Sequence, residues 1–174
     1  NAANEEGLGC FIPSHRCIDN VLHRAAGPRL RESCRKALAA REKGCELLRP
    51  GTTPLVTPGH HLPCNHVLHV TGPCVPGGGR GRPTAEHTRQ LQNCYRLCLD
   101  AAKEHDMKSI AFCCISTGLF GYPQDLAAAT ALSTVHEWLE EETNRAAALE
   151  TIVFVTYLAT DNAIYKDIMD RQRL

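Results

Sequence analysis

The chain has 174 residues, a length that suits one domain with its own core, and its 19 Lys plus Arg balance 19 Asp plus Glu. With no net charge there is no global field to gather nucleic acid or an anionic membrane, so an anionic ligand must be held by local dipoles and backbone amides. No apolar run approaches the length of a membrane span, no secretory signal precedes the first element, and the Asn-Ala-Ala-Asn start reads as a fragment or a processed end.

Two helices come first, residues 18–26 and 28–40, broken at Gly27-Pro28. A strand is expected over His66 to Thr71, followed by a Gly/Pro-rich loop at 75–83 that reads as mobile surface. Residues 84–105 place Leu91, Cys94, Leu97 and Leu99 near helical spacing. Residues 109–115 and 151–157 are short, β-branched or aromatic and nearly all apolar, as in strands covered on both faces. Between them lies a helix over 124–142, and a last helix opens at Asp161 as its N-cap. Alternating strands and helices without a repeat indicate a single α/β domain with a mixed or mostly parallel sheet between helical layers.

Ten cysteines are many, but Cys94, Cys98, Cys113 and Cys114 sit inside apolar or helical runs rather than in loops. They read as small buried hydrophobes in a reducing, cytoplasmic compartment rather than as a disulfide scaffold. Cys10, His15 and Cys17 differ: two thiols and an imidazole within eight residues form a compact set of borderline-soft ligands suited to zinc. Three protein ligands leave one tetrahedral position open, as in a catalytic zinc site. The competing reading is two core cysteines and a surface histidine that happen to lie close together; Gly7, Gly9 and Pro13 favour a shaped loop. Asp19, in the first turn of the helix that follows, either complements the helix dipole or orients a water or sugar hydroxyl.

A second loop, Ser116-Thr117-Gly118-Leu119-Phe120-Gly121-Tyr122, leaves a buried strand and enters a helix. Ligands of open α/β sheets lie at that edge, and such a loop presents amides that can cradle a diphosphate. Phe120 and Tyr122 read as exposed aromatics on which a ribose or base could pack, the competing reading being ordinary anchoring of the loop into the core.

Four ordered motifs together resemble the macrodomain family. They are Asn1-Ala2-Ala3-Asn4, residues 17–27, residues 62–73 and residues 115–123, spanning nearly the whole chain. The match is closest to the branch that hydrolyses mono-ADP-ribose linkages. Where that branch carries a polyglycine loop, this chain has the Cys-x4-His-x-Cys insert, which resembles the zinc-containing macrodomains of some bacteria and fungi. The resemblance implies a three-layer α/β/α fold with a central mixed sheet and Zn2+ held by Cys10, His15 and Cys17. It implies that Asn4 faces the distal ribose and that Asp19 is the catalytic carboxylate, with Asn1 and Asn20 supporting the substrate. Ser116 to Tyr122 would wrap the diphosphate and the ribose beside the scissile bond. One departure stands out: the family's opening strand, with the aspartate that binds adenine, is missing before Asn1, so the domain is expected to be N-terminally incomplete.

The implied activity is zinc-dependent removal of mono-ADP-ribose from protein side chains, by a monomer whose partner would be a sirtuin-like ADP-ribosyltransferase. A non-catalytic ADP-ribose reader and an O-acetyl-ADP-ribose deacetylase are the alternatives, and zinc could serve only to pin the loop.

Overall fold

The computed structural model describes residues 1–144 and 148–172. Helix α1 (Ile18–Ala26) ends where Gly27 takes φ 81°, a left-handed conformation that glycine adopts without a Cβ clash. Helix α2 (Pro28–Ala39) starts at once, with proline in the first turn, where no amide donor is needed. Strands β1 (Leu55–Pro58) and β2 (His66–His69) pair antiparallel, Leu55 opposite His69. Helix α3 (Ala85–Glu104) is opened by a reciprocal cap: Thr84 Oγ1 accepts from the His87 amide and His87 Nδ1 accepts from the Thr84 amide, both at 3.2 Å. Strand β3 (Ser109–Cys113), helix α4 (Gln124–Glu140), strand β4 (Thr151–Val155) and helix α5 (Ala159–Gln172) complete the order. Strands β3 and β4 pair in parallel, and Ala2 adds a parallel bridge to Val70 at the end of β2. The strands are therefore mixed in direction, as the sequence led us to expect.

Two apolar clusters divide the helices. Leu30, Cys34 and Leu38 of α2 pack with Leu55 and Val67, while Leu91, Tyr95 and Leu99 of α3 pack with Phe112, Trp138 and Tyr165. Cys94 and Cys98 lie in the second cluster, where burial pushes both thiols up to about 12 and leaves them inert. All ten cysteines are free, although Cys113 and Cys114 are only half-buried. A slot of about 670 Å³ runs between β2 and β3, lined by Leu68, Val70, Ile110 and Phe112.

Several boundaries differ from those read in the sequence. Strand β1 was not anticipated, because Leu-Val-Thr-Pro is too short to show a period and ends in proline. Neither β3 nor β4 is covered on both faces: Ile110, Phe112, Ile152 and Phe154 pack against the core, whereas Ala111 on β3 and Val153 and Val155 on β4 are exposed. The last helix begins at Ala159, two residues before Asp161, whose Oδ1 accepts from Gln124 Nε2 at 2.8 Å instead of capping.

Two histidines are buried with the first cluster. His69 is fully buried, and burial, reinforced by His23, pushes its pKa down to about 2. Burial also lowers His23, against the opposing pull of Asp19. Both rings therefore bind a proton less readily in the folded chain than in the unfolded one, where histidine protonates below about pH 6.5. The unfolded state thus binds more protons as pH falls, and stability present above pH 6.5 is lost below it. For His69 the loss is about 1.4 kcal/mol per pH unit between its unfolded and folded values. Urea unfolding should show lower stability at pH 5 than at pH 7, and the difference should shrink in His69→Gln.

Candidate active site

Loop 7–17 doubles back over α1. Gly9, at φ 87°, lies flat on the His23 ring; a Cβ there would sit 2.7 Å from the ring's Cγ, so no side chain fits. Asn20, on the first turn of α1, ties the loop down by donating from Nδ2 to the Ile12 carbonyl at 3.2 Å. The ligand atoms of Cys10, His15 and Cys17 are thereby gathered within 4.8 Å of one another. Cys10 Sγ and His15 Nδ1 are 3.3 Å apart, against about 3.6 Å for sulfur and nitrogen ligands of a tetrahedral zinc. The donor set and its spacing fit such an ion. Burial raises the Cys17 thiol, and the Asn20 amide at the helix start pulls it back.

Asp19 is buried beside this loop. Its Oδ1 accepts from Asn1 Nδ2 at 2.7 Å and lies 3.5 Å from His23 Nε2, one helical turn on. Its Oδ2 has no hydrogen-bond partner among the described residues, nor has either ring nitrogen of His23. A buried carboxylate oxygen without a partner is costly, and such groups concentrate where chemistry is done. Asn1 Nδ2 also meets His69 Nδ1 at 3.0 Å. Asn4 Oδ1 accepts from the Gly7 amide at 3.2 Å, closing the turn that starts the loop.

The second loop is held in a strained shape. Ser116 has φ 67°, rare for a residue with a side chain, and its Oγ occupies the space where a Cβ on Gly72 would stand. Tyr122 N donates to Ser116 O and Gly121 N to Gly118 O, both at 3.0 Å, which closes the loop. The amides of residues 117–120 donate to no protein acceptor among the described residues, leaving a run of N–H groups free for an anion. The Gly/Pro-rich loop is fastened to this one, Val75 N to Phe120 O at 2.7 Å and Gly79 N to Gly121 O at 3.1 Å. The two loops are brought near each other, because Ala3 donates to the Val70 carbonyl and Gly72, two residues on, abuts Ser116.

Two expectations need correction. Tyr122 is not an exposed platform: its ring is buried in the larger cluster and its hydroxyl meets Thr88 Oγ1 at 3.2 Å, so it anchors the loop to α3. Phe120 is half-buried and Leu119 is the exposed residue. Asn20 also supports the first loop, its Nδ2 donating to the Ile12 carbonyl. Conversely, His23, His69 and Thr57 escaped notice in the sequence, although His23 lies four residues after Asp19, on the same helical face.

Residues 1–131 match the model of the Macro domain. A protein of Fusarium oxysporum f. sp. cubense described as "Probable bifunctional ADP-ribose hydrolase/ADP-ribosyltransferase" is 45% identical over 97% of this chain, which covers 28% of it. A "Protein-ADP-ribose hydrolase" of Treponema medium is 41% identical over 97% of the chain, which covers 60% of it. The chain therefore spans less than two thirds of these relatives. The structure of an Oceanobacillus iheyensis macrodomain with ADPR superposes with a TM-score of 0.83 at 31% identity, over 99% of this chain and 84% of that one. Matched across three quarters of its length and in its whole fold, the chain belongs to the Macro domain family.

Proposed function

We propose that this domain removes mono-ADP-ribose from modified protein side chains with Zn2+ as cofactor, placing it in the zinc-containing branch of macrodomain hydrolases. The observation that carries the reading is the unpartnered, buried Oδ2 of Asp19, two residues beyond the last thiol of the Cys10/His15/Cys17 cluster. The printed descriptions of the Treponema and Fusarium relatives, which name ADP-ribose hydrolysis, support it. The pairing of hydrolase and transferase in the Fusarium description supports an ADP-ribosyltransferase as the partner that installs the modification; that this transferase is sirtuin-like is what the family resemblance implies.

In this reading the free amides of residues 117–120 hold the diphosphate, and the strained Ser116 turn aims them at it. Asn4 and Asn1 border the distal ribose. Asp19 Oδ2 accepts a proton from the attacking water or polarises a ribose hydroxyl, its other oxygen being fixed by Asn1. Zn2+ held by Cys10, His15 and Cys17 would supply Lewis-acid polarisation next to the scissile bond. A reader module would not need an unpaired carboxylate at this position.

Asp19→Asn should slow release of ADP-ribose from a modified protein by about 100-fold or more, while ADP-ribose affinity measured by calorimetry stays within about 3-fold. A folded Asp19→Asn protein with native turnover would remove this reading. Stripping metal with a chelator, or replacing Cys17 by serine, should abolish release and leave ADP-ribose binding measurable. Binding with no release from the native, metal-loaded protein would instead identify a reader.

A further inference from the structure

The hydrogen-bond geometry around Asn1 fixes every proton in a buried chain leading away from Asp19. Asn1 Nδ2 lies 2.7 Å from Asp19 Oδ1 and 3.0 Å from His69 Nδ1. An amide nitrogen only donates, and its two hydrogens serve these two acceptors. The opposite amide orientation would set Asn1 Oδ1 against the carboxylate oxygen of Asp19, so the assignment follows from charge. His69 Nδ1 therefore accepts with its lone pair, and the single proton of the neutral ring sits on Nε2. That nitrogen is 2.9 Å from Thr57 Oγ1, with Cys34 Sγ, a weaker acceptor, at 3.6 Å. Having accepted from His69, the Thr57 hydroxyl turns its own hydrogen to the Val67 carbonyl at 3.5 Å. Thr57 and His69 are both nearly inaccessible, so water does not compete for these bonds. The pairing of β1 with β2 sets the two residues on neighbouring strands, Thr57 opposite Val67 and Leu55 opposite His69.

We propose that Thr57 and His69 are positioning residues: through the Asn1 amide they fix the orientation of Asp19, and with it the direction of the free Oδ2. The proposal rests on the reading of Asp19 as the acting carboxylate, and nothing in it depends on the metal. Burial supports it by keeping the His69 ring neutral, its pKa pushed down to about 2. A protonated ring would present N–H at Nδ1 and repel the Asn1 amide.

The test is Thr57→Val, which keeps the shape of the side chain and removes the acceptor for Nε2–H. The Nε2–H tautomer then keeps only the Asn1 donation at Nδ1 and the weak Cys34 acceptor in its favour, so the Nδ1–H form, which drives the Asn1 amide away from Asp19, becomes populated. In the metal-loaded protein kcat for ADP-ribose release should fall about ten-fold, roughly the weight of one hydrogen bond. KM should stay within about two-fold, because the residue touches no substrate. Thr57→Ser restores the acceptor and should recover kcat to within about two-fold of native. Imidazole 15N shifts, assigned to His69 by their loss in His69→Gln, should report only the Nε2–H tautomer in the native protein and a mixture in Thr57→Val. An Nδ1–H tautomer in the native protein would overturn the proposal, as would a mixed tautomer with unchanged kcat, or a serine variant as slow as the valine one. A fully active Asp19→Asn protein with the native tautomer intact would strike the hydrolase role of Asp19 instead, which separates the two failures.

Discussion

Asn1 presents one amide nitrogen to a carboxylate and an imidazole at once, and that sharing is possible only because its backbone is locked to β2. Asn1 bonds Leu68 and Val70 through its backbone, and Ala3 donates to Val70. The register thus set decides which side chain stands between Asp19 and His69. It also delivers the chain into the loop that carries Cys10, His15 and Cys17. A slip of one residue would turn the amide to the other face. The placing of the Cys10–Cys17 loop, the carboxylate and the imidazole therefore follows from one short stretch of extended pairing.

Loop geometry adds the second level of control. Gly9 lets the ligand-bearing loop lie on His23, and Gly72 lets Ser116 adopt its left-handed turn. In both places the missing Cβ on one segment is what allows a functional side chain on another to come close. With no net charge, the chain offers an anion the free amides of residues 117–120 rather than a basic patch.

Much of this was legible in the sequence where the signal is local. The helices declare themselves through apolar spacing and the Gly27-Pro28 break, and the thiol–imidazole cluster through its tight spacing. Asp19 could be placed because it opens a helix right behind that cluster. Interactions made across long stretches of chain were not legible. Tyr122 looked exposed because nothing nearby reveals that its hydroxyl reaches Thr88 on α3. His69 and Thr57 looked like ordinary strand residues because their partners stand 68 residues away at Asn1 and 12 residues apart on paired strands. Strand β4 shows the converse error, since an apolar run reports hydrophobicity but not which face finds a neighbour.

Strand β4 also bears on how the domain behaves in concentrated solution. Val153 and Val155 face outward from a strand at the edge of its sheet, with Tyr157 and Leu158 exposed just beyond. An open strand edge bordered by apolar side chains is a template for another chain, and the absence of net charge provides little repulsion to keep copies apart. The colloidal stability of this chain thus depends on whatever covers this edge. Changes there, such as a lysine in place of Val153, can be made for solubility without touching Asp19 or the loops around it.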